Sequence, residues 1–548
     1  MTPPGELATR LDLVRRVLDL TSEPLHRPLG VYFSPLDGDA YLEAWRRHGR
    51  EVGPEGSGAT YGGSTLYVHI PFCARVCSYC LLSSTRTPGK GPVDDYVTAL
   101  RRQIALMAPL CEGLTFHSLH IGGGTPSLLS EAQLDALLGD LTGFRRAEGF
   151  QIGVEAHPST ASASKLALLA RHGVDRVSFG VESFTPEVLR LAVRDDQTAA
   201  RVATAVRAAR EAGLAVNIDM LAGLPGETEA SFADSVRQAL ALGPDSMSVN
   251  RFLAENSPLA RLGYGPDADE HRTVDRMLLE ADRLVRELSP PRWPEAPLAL
   301  PGYGTQYVWD HTGKARAYFQ DDMIGPASTL ALGHGALGHI HGQMFSVPAG
   351  THLDFVSALA AGRPPAMLAS PASVRFEMAF YLADRACRGD LSLARFAAIF
   401  GHSALAVFGR ELGFLASAGL VRVQGDRVSK PARLDFQVTH LLAFLARTTA
   451  GLTADLRALS PRGTPATGVS APDPGRVAPL PLARWTDPDS RPEVTVAGDG
   501  GQAQYRAIRA ELPPSLLWCR LAMRASQASQ GGQRLAVAAP REERTRVL

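Results

Sequence analysis

Between Thr65 and Phe252 the chain alternates between two hydrophobic periods. Short runs rich in β-branched and apolar residues predict strands: Leu66–Ile70, Phe116–Ile121, Phe150–Ala156, Arg176–Val181, Leu214–Leu221 and Ser246–Phe252. Amphipathic stretches between them predict helices over Asp94–Ala108, Glu131–Leu138, Lys165–Arg171, Thr198–Ala212 and Ser231–Leu242. Ser130 and Gln133 stand at capping-box spacing ahead of the second helix. Strand, helix, strand repetition implies parallel strands joined by right-handed crossovers. The six units fit a partial (β/α)6 barrel of TIM type or an open sheet. Either α/β architecture puts its working face at the carboxyl ends of the strands.

The flanks read differently. Residues 1–63 form a helical leader whose last part, EVGPEGSGATYGGS, predicts a glycine-rich loop. The barrel segment occupies 64–265. Residues 266–370 begin with a long helix and continue into an aromatic, glycine-containing stretch and LALGHGALGHI, a barrel extension on the substrate side. Residues 371–448 read as three helices, a hairpin around Gly425-Asp426 and a final helix, the order of a small winged-helix-like domain. Residues 449–548, rich in Pro, Ala, Gly and Arg, predict a largely disordered tail.

Composition narrows the class. The chain of 548 residues is 45% hydrophobic and 20% charged, which suits globular domains with sizeable cores. Its formal net charge is zero, so long-range attraction to nucleic acid is not indicated. The winged-helix-like segment is mostly apolar, without the cationic face that phosphate contacts need, and reads as a lid or packing domain. No apolar run is long enough to span a bilayer and no secretory signal opens the chain, so a cytoplasmic location is expected.

Three of the six cysteines, Cys73, Cys77 and Cys80, fall within eight positions directly after the first strand. In a reducing compartment such clustering points to metal or catalysis. Three thiolates on one loop suit a 4Fe–4S cluster with one open iron, and a three-cysteine zinc site is the alternative. Other polar or glycine-rich residues also fall at predicted strand ends: Gly122, Gly123, Gly124 and Thr125, then Glu155, Glu182 and Asp219. Glycine there lets backbone approach a ligand closely. His334, His339 and His341 cluster in GHGALGHIHG, where they could bind haem iron or zinc, line the substrate side, or face solvent.

Taken together, YVHIPFCARVCSYC, HIGGGTPS, VEAHP, RVSFGVESF and VNIDMLAGLPGET resemble the radical S-adenosylmethionine superfamily. More narrowly, they resemble the oxygen-independent coproporphyrinogen III oxidase family, whose relatives include haem chaperones and class C radical methyltransferases. The resemblance implies a 4Fe–4S cluster on Cys73, Cys77 and Cys80 and a barrel core. It also implies one or two molecules of S-adenosylmethionine held by Tyr67, Tyr79, Gly123, Gly124, Thr125, Glu155, Glu182, Arg194 and Asp219. For Tyr67 and Tyr79 a core role, and for Glu182 with Arg194 a structural ion pair, are the alternatives. It further implies a small, planar, conjugated substrate and an electron donor such as flavodoxin or ferredoxin.

Three departures bear on the reaction. Leu82 stands where decarboxylating members carry a further cysteine, HTGKARAYFQDD lacks the His-Asn-x-x-Tyr motif of haem chaperones, and Glu182 replaces a common glutamine. The first two direct the expectation toward methyl or methylene transfer, with oxidative decarboxylation and haem delivery as alternatives; the Glu182 carboxylate would favour a cationic sulfonium nearby or pair with Arg194.

Overall fold

The computed structural model describes residues 34–60, 64–252 except 81–83 and 88, 268–288, 298–301, 306–310, 328–371 except 342, seven residues between 377 and 386, and 391–429 except 401 and 418–420. The predicted disordered tail, the opening amphipathic helix and the last helix of the winged-helix-like segment lie outside the described residues.

In chain order the first elements are β1 (Ser34–Leu36), α1 (Gly38–Thr60), β2 (Ser64–Ile70), β3 (Phe72–Cys73), β4 (Thr85–Arg86) and α2 (Lys90–Met107). The repeat continues with β5 (Phe116–Gly123), α3 (Glu131–Asp140), β6 (Arg146–Ala156), α4 (Ala163–Arg171), β7 (Arg176–Glu182), α5 (Pro186–Leu191), α6 (Ala199–Glu211), β8 (Ala215–Ala222), α7 (Glu229–Ala241) and β9 (Ser246–Arg251). Strands β2, β5, β6, β7, β8 and β9 are parallel neighbours in that order. They are the expected partial (β/α)6 barrel.

Every residue of β2 is buried, as required of a parallel strand covered on both faces. Helix α2 buries Val93, Tyr96, Val97, Leu100, Ile104 and Met107, the stripe of a helix packed on a sheet. The capping box at Ser130 and Gln133 forms with both hydrogen bonds. At the amino ends of the strands two aspartates hold the register. The Asp175 carboxylate accepts the Ile152 N–H at 2.8 Å, and that of Asp245 accepts the Val216 N–H at 2.8 Å.

The barrel strands belong to one thirteen-stranded sheet. After α8 (Ala268–Leu288), β10 (Leu298–Pro301) and β11 (Gln306–Asp310) add antiparallel strands beyond β9. On the other side β12 (Ser328–Leu332) lies parallel to β2, followed by β13 (Gly338–Ile340), β14 (Met344–Pro348) and, after α9 (His352–Ala360), β15 (Met367–Pro371). Strand β1 closes that edge by pairing antiparallel with β15.

The leader differs from its expected form. The glycine-rich stretch after Glu51 continues helix α1 to Thr60 instead of forming a loop. Trp45 and Tyr41 of α1 are buried in the main core, and Gly49 packs on the Leu110 carbonyl, 2.8 Å from where a Cβ would sit. Toward the carboxyl end lie β16 (Leu391–Ser392), α10 (Leu393–Phe400), α11 (Ala404–Ser417), β17 (Arg422–Gln424) and β18 (Arg427–Ser429). The three short strands form a separate sheet, with the turn at Gly425-Asp426 between β17 and β18.

Candidate functional site

The cysteine loop leaves the carboxyl end of β2 and is held open by the backbone on both sides. Thr85 N–H donates to the Pro71 carbonyl at 2.7 Å and Thr87 N–H to that of Cys73 at 2.9 Å. Farther along, Ser78 ties the loop to the end of α5 through Ser78 Oγ and the Leu191 carbonyl, 2.8 Å. None of the three thiols is in a disulfide, and all are partly exposed. Each faces a polar partner: Thr125 Oγ1 donates to Cys73 Sγ at 3.4 Å, Ser84 Oγ lies 3.3 Å from Cys80 Sγ, and Arg194 Nη1 lies 3.7 Å from Cys77 Sγ. Burial raises the Cys73 thiol above its ordinary range. A bound cation would offset that effect and favour the thiolate.

The glycine turn is packed directly on this loop. Gly124 N–H donates to the Ile70 carbonyl at 2.7 Å, and Thr125 N–H to that of Phe72 at 2.8 Å. A Cβ on Gly124 would lie 2.7 Å from the Phe72 oxygen, and one on Gly122 would lie 2.8 Å from the Glu155 carboxylate. Gly123 adopts φ 111°, a left-handed conformation that side chains rarely take, against the ring of His69. Strand and turn therefore meet with no side chain between them, which puts Thr125 beside Cys73.

Glu155, at the end of β6, accepts a hydrogen bond from Gly123 N–H at 3.1 Å and pairs with His120 Nε2 at 3.1 Å. Burial works to raise its carboxyl, but His120, Gly123 and His69 together hold it below the usual carboxylate range. His120 stacks on Tyr67, whose hydroxyl lies 2.9 Å from His69 Nδ1. The carboxylate is thus kept ionised at a strand end, ready for ribose hydroxyls or an ammonium.

A second cluster forms around Arg194. Its Nη1 donates to Tyr79 Oη at 3.1 Å, its Nη2 donates to the Gly180 carbonyl and to Gln197 Oε1 at 2.7 Å, and Glu182 Oε1 lies 3.9 Å away. Two unusual turns present these charges. Glu182 has φ 69°, and Ser183 N–H bonds back to the Val181 carbonyl at 2.8 Å, which makes Glu182 the centre of a γ-turn beside a register shift in β7. Arg194 follows Val193, which caps α5 in the left-handed region at φ 60°. There Arg194 N–H reaches the Leu189 carbonyl and Val193 N–H that of Arg190, the paired bonds of a Schellman motif in which glycine is usual.

Burial pushes the Glu182 carboxyl up to about 7, with Arg194 opposing and Asp219 adding to the rise. Asp219 is raised in its turn by burial, although Ser178 and Asn217 both donate to it, Asn217 Nδ2 at 2.8 Å.

Several participants were not singled out from the sequence. His69 and His120 organise Tyr67 and Glu155. Gln197 fixes Arg194 by also donating to the Val181 carbonyl at 2.6 Å. Asn217 stands one strand period from Asp219, an (i, i+2) spacing that is legible once β8 is placed. Behind the Glu182 turn, Glu227 accepts the Gly223 N–H at 2.9 Å and the Ser183 hydroxyl at 3.2 Å, and burial raises it to about 8. The histidines of GHGALGHIHG do not face solvent: His334, His339 and His341 are all buried. His334 lies 2.9 Å from the Gly350 carbonyl, apart from the other two, which meet Glu377.

Residues 67–239 match the family model of the Radical SAM superfamily. This segment is a radical S-adenosylmethionine domain, and the curated relatives it matches include oxygen-independent coproporphyrinogen III oxidases and a heme chaperone. The oxygen-independent coproporphyrinogen III oxidase of Pseudomonas aeruginosa is 38% identical over 190 residues, 34% of this chain and 41% of that protein. The heme chaperone HemW of Escherichia coli is 32% identical over 249 residues, 44% of this chain and 64% of that protein. The chain thus spans less than half the length of the Pseudomonas relative. The solved coproporphyrinogen III oxidase (HemN) from Escherichia coli, 23% identical, superposes with a TM-score of 0.61 over 75% of this chain and 94% of that one, a likeness of fold.

Proposed function

We propose that this chain is a radical S-adenosylmethionine enzyme acting on a planar, conjugated, porphyrin-like substrate. The observation that carries the reading is the convergence of Thr125, from the turn after β5, and Arg194, from the carboxyl-terminal cap of α5, on Cys73 and Cys77. The residues fit the implied group: three thiols outside any disulfide, beside a side-chain-free turn and an ionised carboxylate. Cys73, Cys77 and Cys80 would hold a 4Fe–4S cluster. When bound, the cluster and S-adenosylmethionine supply one-electron cleavage of the sulfonium and a carbon radical that abstracts hydrogen.

The chain's own residues bind and orient. Gly123, Gly124 and Thr125 offer backbone to the methionyl part, and Glu155 accepts from ribose or ammonium. Glu182 is driven toward its carboxylate by a nearby sulfonium charge. Arg194 keeps a fixed positive charge against Cys77, which opposes loss of the thiolate. Asp219, held by Ser178 and Asn217, marks a further polar corner where a second molecule of S-adenosylmethionine would bind.

The relatives favour oxidation of the coproporphyrinogen III type. Leu82, in place of a cysteine, favours methyl or methylene transfer as a second reading. The test is product analysis of the anaerobically reconstituted protein with S-adenosylmethionine and dithionite. 5′-Deoxyadenosine is expected, and Cys77→Ala should abolish both it and the brown chromophore. With coproporphyrinogen III and an electron acceptor present, 5′-deoxyadenosine without S-adenosylhomocysteine and a mass loss of carbon dioxide plus two hydrogens per propionate supports oxidative decarboxylation. Deoxyadenosine with S-adenosylhomocysteine supports methyl or methylene transfer. Neither product, with tight haem binding, would replace the enzymatic reading by haem delivery.

A further inference from the structure

We propose that His339, His341 and Glu377 form a metal site, separate from the cysteine loop, that takes a zinc-like divalent cation. Strand β13 carries His339, and the turn that follows it carries His341. Glu377 comes from the segment that begins after β15. His339 Nε2 lies 2.9 Å from Glu377 Oε1, and His341 Nδ1 lies 3.0 Å from Oε2. One donor atom from each residue falls within 4.8 Å of the other two.

The donor set is chemically selective. Two imidazoles and a carboxylate are a recurrent zinc set, and such sites keep a fourth position for water. Tetrahedral ligation with bonds of about 2.1 Å spaces ligand atoms about 3.4 Å apart, so the two histidine–glutamate contacts would open by about half an ångström. The surroundings are apolar. His339 stacks on Phe345 with centroids 4.4 Å apart, and Phe400 of α10 lies 6.2 Å from His341. The side chains of the three residues are only 1%, 5% and 2% exposed.

The position gives the site a mechanical role. His341 N–H donates to Ser328 Oγ at 3.0 Å, and that oxygen lies 2.8 Å from His48 Nε2 of α1. A cation held here ties the leader helix and the β12–β14 edge to the segment leading into the carboxyl-terminal helices. It acts as a clip between units of the fold, and the radical chemistry does not pass through it.

The experiment uses the full chain with its cluster reconstituted anaerobically, so that iron fills the cysteine loop. The protein is loaded with zinc alone and dialysed, and bound zinc is counted against protein. About one equivalent is expected in the unmutated chain. Glu377→Gln, which keeps a hydrogen-bonding side chain of the same shape, should weaken retention at least tenfold. Cobalt substitution in the unmutated chain should give d–d absorption of a nitrogen and oxygen site without a thiolate charge-transfer band. The cobalt spectrum needs no variant, so it decides the question even if Glu377→Gln fails to fold. A chain that retains no zinc, equal retention by Glu377→Gln, or a cobalt spectrum with thiolate charge transfer overturns the proposal.

Discussion

Gly124→Ala is the sharpest probe of how the cluster loop and the glycine turn are joined. The added Cβ would stand 2.7 Å from the Phe72 carbonyl oxygen and 2.9 Å from the Ile70 oxygen and the Phe72 nitrogen, where ordinary contact begins at 3.4 Å. All three atoms are backbone, so no side chain can swing aside. The turn must move by over half an ångström and lose the Gly124 N–H to Ile70 and Thr125 N–H to Phe72 hydrogen bonds. Two buried bonds contribute about 1 kcal/mol each, and overpacking costs a further 1–3 kcal/mol or so. A loss of about 3–5 kcal/mol follows in chemical denaturation. Displacing Thr125 from Cys73 should also lower S-adenosylmethionine cleavage by about a hundredfold. Gly139→Ala in α3 is the control: nothing lies within 4 Å of its Cβ, and the helix should gain about 0.5–1 kcal/mol. Gly124→Ala with unchanged stability and unchanged 5′-deoxyadenosine yield would refute the packing argument.

The Glu182 carboxyl, raised to about 7, is protonated below that pH and ionised above it. Affinity for the cationic S-adenosylmethionine should therefore rise up to about tenfold per unit as pH approaches 7 from below and level off above it. Glu182→Gln should flatten the profile; an unaltered slope in that variant would place the titration elsewhere. Val193→Gly should stabilise the fold by about 0.5–1 kcal/mol. It relieves the roughly 1–2 kcal/mol of a left-handed β-branched residue at a modest entropic cost, since the side chain is 40% exposed. Melting temperature checks this, and a fall in it counts against a strained cap.

The barrel was legible because its signals are local. β-branched runs and amphipathic stretches place each parallel strand to within a few residues, apart from the earlier start of β6, and Ser130 with Gln133 marks the start of α3. Where composition and context disagreed, composition misled. The glycines after Glu51 suggest a loop, yet that stretch continues a helix whose Trp45 and Tyr41 enter the core. The short strands β10 to β15 carry too few residues for a period to show. At the site, residue types could be read but their partners could not. Arg194 and Glu182 were visible as charges, while the γ-turn and the Schellman bend that aim them depend on backbone conformations at non-glycine residues. The burial of His339 and His341 depends on Glu377, a residue far along the chain that no local window pairs with them.

The pairing of β1 with β15 has a consequence for synthesis. Ser34 finds its partner only when Ala369 has left the ribosome, a delay on the order of tens of seconds at ordinary translation rates. Until then β1 lacks its partner strand, and its backbone groups are open to any extended peptide nearby. Nascent chains stalled before Ala369 should therefore lean on holding chaperones, and a protease pulse during translation should cut the leader that the finished protein protects.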